Sequence, residues 1–336
     1  WILILNVLLY FSITVRKGKR IYSIAAIGLL SVLWLHGLQK INSVENDSVG
    51  KSIVVAITQP NVDPNEKWEK DNRKQTFDLM HQLLDEAIEY GPDMILWPET
   101  ALPSYLRLSS KDRNPLQEKV NIYEIPLLSG TIDREYTEDI TPVYFNGSIF
   151  IQAKKPTEIY HKVKLVPFAE YVPLSGYFPS LNELNFGQGN FTAGKEFTLF
   201  QFDNISFSNL ICYESSLPDI VRKFVLNGSE FITIQANDGW LGKTSGPYQH
   251  FEIAKMRAIE NRRSIVRSAN TGISGIISPS GKIIKKIPLG ERSVSKGIIS
   301  LSDRITFYTK YGNILGKWIS LIFILSAGLT LWIKRL

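Results

Sequence analysis

The sequence predicts one large α/β domain with membrane-spanning helices on both sides of it. In the middle of the 336-residue chain, short apolar runs alternate with segments of helical periodicity, which is the pattern of an α/β core. Additional hairpins between these segments indicate a mixed sheet or a two-sheet sandwich. The apolar residues, 44% of the chain when Tyr and Cys are counted with them, concentrate at its two ends, where they form runs typical of membrane helices.

The N-terminal end, residues 1–38, is predicted to be a transmembrane helical hairpin. Two apolar runs, 1–15 and 21–38, are separated by a basic cluster that consists of Arg16, Lys17, Lys19 and Arg20. The first run is short and does not begin with Met, so we expect a truncated chain that further spans precede. A signal peptide is the alternative interpretation, but it would have a single apolar core and would leave the C-terminal apolar run unexplained.

The C-terminal end, residues 313–336, is predicted to be a transmembrane helix with a cytoplasmic tail that contains Lys334 and Arg335. Basic residues beside short loops tend to stay in the cytoplasm. Both basic segments are therefore expected inside the cell. A chain that leaves through residues 21–38 and returns through 313–333 places everything between them on the outer side of the membrane.

Residues 39–51 are predicted to be a polar linker, and residues 52–312 the folded α/β domain. The domain begins with a β-α-β unit made of strand 52–58, helix 69–90 and strand 93–98. Helices are expected after Pro218 and over 247–263. Further strands are predicted at 126–131, 144–152, 158–166, 204–214, 231–237, 264–270 and 272–279.

Charge and cysteine content restrict the function. The net charge of +6 and the isoelectric point near 9.1 are not accompanied by a basic helix, a zinc-finger spacing or an aromatic RNA-binding motif, so anionic lipid is an equally good partner as nucleic acid. The single cysteine, Cys212, excludes an intrachain disulfide and a cysteine cluster. Packing and nucleophilic chemistry remain as its roles.

Glu99 follows the apolar run MILWP and Cys212 follows the apolar run FSNLI, so each lies near the carboxyl edge of a predicted sheet, where active sites of open α/β sheets are usually found. Cys212 also precedes a turn into a helix, a position whose amides favour a thiolate. Alone, Glu99 would more often be an exposed loop carboxylate and Cys212 an inert core residue.

Lys162 lies in the segment YHKVKLVPFAEYVP, where Tyr160, Lys162 and Lys164 are predicted to share one strand face. Two lysines on one face normally indicate a solvent-exposed strand, and spacing does not choose between them. Together with Glu99 and Cys212, however, a lysine completes a set of nucleophile, base and fixed cation. Acyl transfer requires those three roles.

Three motifs in this order, WPETALP, YHKVKLVPFAEYVPL and ICYESSLPDIV, resemble the Glu, Lys and Cys segments of the nitrilase superfamily, and within it the apolipoprotein N-acyltransferase family. The block NDGWLGKTSGPYQHFEIAKMRAIENRR and the residues after it resemble the C-terminal half of that family. The resemblance covers about residues 52–312 and implies a nitrilase-like αββα sandwich. It also identifies Lys162, three residues before the Leu-Val-Pro-Phe segment, as the functional lysine, with Lys164 a secondary candidate.

The resemblance implies roles for further residues. Glu170 would support the site, Tyr213 and Glu214 would follow the nucleophile, and Trp68 and Trp240 would lie on loops near the substrate. The alternatives are packing for the two tryptophans and ordinary ion pairing for the two glutamates.

The resemblance also implies an acyl transfer from a phospholipid, through a thioester, to the N-terminal amine of a diacylated apolipoprotein. No cofactor and no metal are implied, and the location would be the bacterial inner membrane, with the domain on the periplasmic side. The segment 172–190 could be a lid towards lipid or a packed loop. A membrane-tethered carbon-nitrogen hydrolase and an inactive lipoprotein-binding scaffold are the competing interpretations.

Overall fold

A computed structural model describes the chain except residues 16–17, 48–49, 176, 185–189, 243 and 334–336. The predictions for Arg16, Lys17, Lys334 and Arg335 therefore concern residues outside the described part. The chain divides into two compact units, Trp1–Val49 and Gly50–Leu336.

The first unit is a pair of helices, α1 (Ile2–Thr14) and α2 (Lys19–Asp47), which pack against each other through rings such as Phe11 and Tyr22, 5.3 Å apart. Within the described residues, α2 alone is long and apolar enough to cross a membrane, over Lys19–Glu45. The predicted linker is not irregular throughout, because α2 continues helically to Asp47. Polar residues such as Asn and Ser mark loops only weakly when a preceding helix can extend through them.

The second unit contains two six-stranded sheets. In the first sheet the strand order is β12-β1-β2-β3-β4-β5; β1, β2 and β3 are parallel and the other pairings are antiparallel. Its strands are β1 (Ser52–Gln59), β2 (Met94–Leu96), β3 (Leu127–Tyr136), β4 (Pro142–Ile151), β5 (Glu158–His161) and β12 (Ser293–Ser300).

The second sheet repeats this arrangement, with the order β11-β10-β9-β8-β7-β6 and parallel pairing of β7, β8 and β9. Its remaining pairings are antiparallel. Its strands are β6 (Leu199–Phe202), β7 (Ile205–Ile211), β8 (Phe231–Ala236), β9 (Ile265–Ala269), β10 (Ser274–Ile277) and β11 (Ile283–Ile287).

Helices cover the outer face of each sheet, so the domain has four layers in the order α, β, β, α. An apolar cluster that includes Met80, Leu84, Leu116 and Val120 joins α3 and α4 to the first sheet, while α5 and α6 pack on the second. The helices of this unit are α3 (Lys70–Glu89), α4 (Ser110–Tyr123), α5 (Pro218–Leu226), α6 (Gly246–Asn261), α7 (Phe307–Tyr311) and α8 (Ile314–Ile333). The predicted sandwich is thus confirmed. The apolar part of α8, Ile314–Thr330, is shorter than a full membrane span.

Polar contacts between the two sheets fix their relative position. The Gln235 side chain on β8 donates a hydrogen bond to the main-chain oxygen of Trp97, just beyond β2, across 2.8 Å. Ser148 on β4 and Asn209 on β7 also hydrogen-bond across the interface, at 2.7 Å. Buried polar groups that are all paired specify a unique alignment of the layers, which an apolar interface alone does not.

Candidate active site

The three predicted reactive residues line the same cavity. Glu99 and Lys162 belong to the first sheet's connections and Cys212 to the second sheet's, yet all three line a single cavity of about 420 Å³ at the ends of the parallel strands. The cavity is lined by Glu99, Lys162, Val166, Ala169, Glu170, Cys212, Tyr213, Ser216, Asn237, Asp238, Trp240, Leu241, Gly246, Gln249, His250 and Ile253.

Glu99 lies where the chain leaves β2 and crosses over β3. Gly130 on β3 makes this crossing possible, since a Cβ there would lie 2.6 Å from the Glu99 Cα. The next residue, Thr100, has a left-handed backbone with φ of +45°, which non-glycine residues adopt only when the surrounding contacts impose it. Burial raises the pKa of Glu99, and Lys162 opposes this effect. A carboxyl group with a raised pKa is a better proton acceptor for a thiol than an ordinary one.

Cys212 follows β7 and begins a short 3₁₀ helix, Cys212–Ser216. Its own backbone is left-handed, with φ of +49°, as at the sharp strand-to-helix turns that expose nucleophiles. Burial, together with the charge of Glu99, raises the pKa of the Cys212 thiol above its ordinary value. Burial therefore opposes the stabilisation of a thiolate that was expected from the helix amides, and the thiol needs a base.

Lys162 is not on a strand, because β5 ends at His161. The predicted face shared by Tyr160, Lys162 and Lys164 is therefore wrong, and so is the predicted surface location: Lys162 is only 1% exposed, whereas Lys164 is exposed. The Lys162 ammonium donates to Glu170 Oε1 at 2.9 Å and lies 4.0 Å from Glu99 Oε1. Burial alone would lower the pKa of Lys162, but the two carboxylates outweigh it and keep the pKa above its ordinary value.

Glu170 supports this arrangement through three contacts. Besides Lys162, its carboxylate accepts hydrogen bonds from the Val166 amide and from the Asn146 side chain, each across 2.8 Å. Asn146 on β4 also donates to Glu99 Oε1 at 2.7 Å. The sequence interpretation missed Asn146; the signal was a lone amide in an otherwise apolar strand, YFNGSIFI.

Glu214 does not line the cavity. It is fully buried, and its carboxylate accepts from the amides of Ile211, Val163 and Lys164 and from the Tyr160 hydroxyl. It thereby joins the nucleophile turn to the segment that carries Lys162. Burial raises the pKa of Glu214 to about 7, while these donors favour its charged form.

The predicted substrate-side aromatics divide into two groups. Tyr213 and Trp240 line the cavity, and Trp240 is 51% exposed. Trp68 is 43% exposed but is not among the lining residues. In the predicted lid segment, Leu174, Tyr177 and Phe178 are exposed, and residues 176 and 185–189 lie outside the described part.

A second buried cluster adjoins the sulfur, and the sequence interpretation assigned it no role. One atom each of Cys212, Asp238 and His250 lie within 4.8 Å of one another, a donor set that could in principle hold a metal ion. Both carboxylate oxygens of Asp238 are already engaged, one by His250 at 2.7 Å and one by Arg267 at 2.7 Å. The donor set is therefore poorly suited to a metal ligand sphere, in which the carboxylate would have to release a partner.

Comparisons with known proteins identify the family of the chain. Residues 54–307 match the family described as carbon-nitrogen hydrolase. Proteins named apolipoprotein N-acyltransferase are similar: that of Chlorobaculum tepidum is 31% identical over 94% of this chain and 64% of its own length, and that of Aquifex aeolicus is 32% identical over 83% and 60%. The chain thus spans about 60% of the length of the curated relatives it matches.

Solved structures support the fold. A carbon-nitrogen hydrolase from Helicobacter pylori superposes with a TM-score of 0.55 at 14% identity, covering 74% of this chain and 89% of that one. Saccharomyces cerevisiae Nit3, a member of the nitrilase superfamily, gives a TM-score of 0.57 at 16% identity, covering 75% and 92%.

Proposed function

Because the chain belongs to the carbon-nitrogen hydrolase family, we propose that it uses the family's covalent cysteine chemistry as an N-acyltransferase, moving a fatty acyl chain from a phospholipid to the N-terminal amine of a diacylated apolipoprotein. The observation that carries the proposal is that Glu99, Lys162 and Cys212 line one cavity, with Lys162 held between two carboxylates.

In the first half-reaction, Glu99 accepts the Cys212 proton and the sulfur attacks the ester carbonyl of the phospholipid. The raised pKa of the Cys212 thiol makes this base necessary. Lys162, fixed by Glu170, stabilises the tetrahedral oxyanion; a preorganised donor of this kind is worth about 3 kcal/mol. Glu99 returns the proton to the departing lysophospholipid oxygen, and the acyl group remains on Cys212 as a thioester.

In the second half-reaction, the amine of the acceptor attacks the thioester. Glu99 accepts a proton from the attacking amine, the C–S bond breaks, and the proton returns to the sulfur. The products are an amide and the free thiol. Conversion of a thioester to an amide is downhill, so no further reactant is needed.

Two separate apolar features support lipid substrates. Val166, Trp240, Leu241 and Ile253 line the cavity, and α2 has the length and composition of a membrane span. We propose that the domain over residues 52–312 lies on the periplasmic side of a bacterial inner membrane, with spans in 1–38 and 313–336. Trp68, Tyr213 and Trp240 are proposed to contact substrate, and Glu170 and Glu214 to support the reactive residues.

Mass spectrometry of the full chain in detergent with phosphatidylethanolamine tests the covalent step. An acyl adduct is expected on Cys212 and should be missing from Cys212→Ala. Addition of a diacylated lipopeptide then separates transfer from hydrolysis. N-acylated peptide supports the transferase, whereas free fatty acid released at the same rate with and without peptide shows that water is the acyl acceptor, as in the hydrolase interpretation. Turnover without an adduct would rule out the thioester.

A further inference from the structure

The main chain of Cys212 is held by a buried chain of hydrogen bonds that starts far from it in sequence. Its carbonyl oxygen accepts a hydrogen bond from the Ser215 hydroxyl at 2.7 Å and lies 3.1 Å from His250 Nε2. Ser215 Oγ and His250 Nε2 are themselves 2.8 Å apart. Two polar groups from two different elements thus converge on one carbonyl.

His250 is held in turn from behind. Its Nδ1 lies 2.7 Å from Asp238 Oδ1, and Arg267 contacts both partners, with Nη2 2.7 Å from Asp238 Oδ2 and 3.1 Å from His250 Nδ1. All three residues are buried. Since an ionised carboxylate can only accept, the Nδ1 proton faces Asp238. In the neutral ring Nε2 is then an acceptor, so the Ser215 hydroxyl proton is shared between Nε2 and the Cys212 carbonyl oxygen.

This support coincides with backbone strain at the nucleophile. Cys212 has a φ of +49°, a conformation that a residue with a side chain keeps only when its surroundings impose it. With an ordinary negative φ, the side chain would leave the strand end in another direction, away from the cavity that it now lines. Contacts that fix the Cys212 carbonyl fix the backbone conformation of this residue, and they thereby fix the direction of its side chain.

We propose that His250, fixed by Asp238 and Arg267, is a positioning residue that orients Ser215 against the Cys212 carbonyl and so keeps the sulfur aimed at the acyl carbonyl. The inference rests on the proposed role of Cys212 as nucleophile. Direct proton transfer from the sulfur is the competing role for His250, because a ring nitrogen lies within 4.8 Å of Sγ. Against that role, Nδ1 is bonded to Asp238, and the Nε2 contacts are Ser215 and the carbonyl.

Two substitutions separate positioning from proton transfer. His250→Gln keeps a neutral amide that can hydrogen-bond to Ser215 and the Cys212 carbonyl but cannot take up a proton, whereas His250→Leu removes both abilities. Glu252→Gln, an exposed change on the same helix, is the matched control. The full chain of each variant is mixed with phosphatidylethanolamine in detergent micelles, and formation of the Cys212 adduct is followed together with thermal unfolding.

His250→Leu should lower the rate constant of adduct formation about tenfold or more with little change in the half-saturating lipid concentration, the sign of an interaction that matters in the transition state. His250→Gln should stay within about threefold of wild type on the same measure. Equal impairment of both variants would overturn positioning in favour of proton transfer. A His250→Leu rate equal to that of the control would also overturn it.

Alkylation by iodoacetamide gives a readout independent of any acyl donor, because Cys212 is the single thiol of the chain. In wild type and His250→Gln, the pH of half-maximal alkylation should lie above the ordinary thiol value of about 8.5. In His250→Leu it should fall towards that value as the sulfur leaves its buried position. If wild type takes no acyl group but the alkylation midpoint falls in His250→Leu, the transfer reaction is refuted and the positioning role is supported. If folded His250→Leu keeps the wild-type midpoint, the positioning role is refuted.

Discussion

The side-chain amide of Asn146 donates a hydrogen bond to Glu99 Oε1 across 2.7 Å. The same nitrogen donates to Glu170 Oε1 at 2.8 Å, so one amide joins the two carboxylates that surround Lys162. Asn146 thereby sets the separation of two negative charges that would otherwise repel each other.

Asn146→Asp should slow formation of the Cys212 adduct about tenfold or more at pH 7, because a third carboxylate disfavours ionisation of Glu99. Part of the loss should be recovered at higher pH, where Glu99 gives up its proton. Single-turnover rates across pH measure this effect. Asn227→Asp, an exposed change at the end of α5, is the control, and equal rates for the two variants would contradict the assignment.

Lys162→Met should abolish adduct formation and also destabilise the domain by roughly 3–5 kcal/mol, because two buried carboxylates lose their cation. Lys164→Met removes the same group two residues later from an exposed position and should change neither property. Urea unfolding and adduct mass spectrometry on the pair measure both effects. A Lys164 variant that loses activity while the Lys162 variant keeps it would reverse the choice between the lysines.

The rate of adduct formation should rise with pH through the raised pKa of Glu99, since burial places that pKa above its ordinary value of 4.5 and only the ionised form accepts the thiol proton. The Glu99→Gln variant should form the adduct slowly, and its rate should not rise with pH over this range. Rapid-quench measurements from acidic to neutral pH provide the comparison. A wild-type rate that does not change over this range would assign the base elsewhere.

Lys67→Met should move that acidic limb to higher pH. Lys67 is buried, its ammonium donates to the Thr100 main-chain oxygen at 2.7 Å, and its charge favours the carboxylate form of Glu99. Removing the cation raises the pKa of Glu99 further. Lys70→Met at the exposed start of α3 is the matched control, and coincident profiles for the two variants would argue against the coupling.

Glu214→Gln should change how stability depends on pH. Burial raises the pKa of Glu214 from 4.5 to about 7, so its protonation favours the folded state and this contribution is lost as pH rises from about 4.5 through about 7. The difference in unfolding free energy between wild type and variant should therefore vary over this window and level off above it. Chemical unfolding at intervals of pH tests this, with Glu252→Gln as control; a constant difference would show that Glu214 does not titrate there.

Local sequence patterns predict most of the buried strands, because short apolar runs rich in β-branched residues, such as SIVVAIT and FITIQA, favour a strand conformation locally. They also place Glu99 and Cys212 correctly, since each follows such a run. The position of Lys162 is not predictable in this way: it depends on Glu170, whose carboxylate accepts from the Lys162 ammonium, and on Asn146 on β4, which donates to that carboxylate. The alternation of side chains with a period of two residues applies only within a strand, so it does not predict where the side chain of a residue just after the strand will point.

Other elements were missed for related reasons. Strand β12 pairs with β1 across more than 230 residues, and no local signal announces such a pairing. Strand β11 reads IIKKI and is largely exposed, so its composition resembles a surface loop. Helix α4 contains Pro115 within a polar sequence. The sequence does not single out His250 and Asp238, because their burial and mutual contact arise only when α6 packs against the short 3₁₀ turn Asp238–Leu241 that follows β8.

The hydrogen bond from Gln235 to the Trp97 carbonyl has a further implication. Glu99 follows a strand of the first sheet and Cys212 a strand of the second, so the distance between base and sulfur depends on how the two sheets are aligned. A conservative substitution in the interface between the sheets, far from any substrate, is therefore expected to shift one sheet by a fraction of an ångström. Such a shift lowers the reaction rate strongly and changes the melting temperature little. Turnover then reports the alignment of the two sheets more sensitively than thermal stability does.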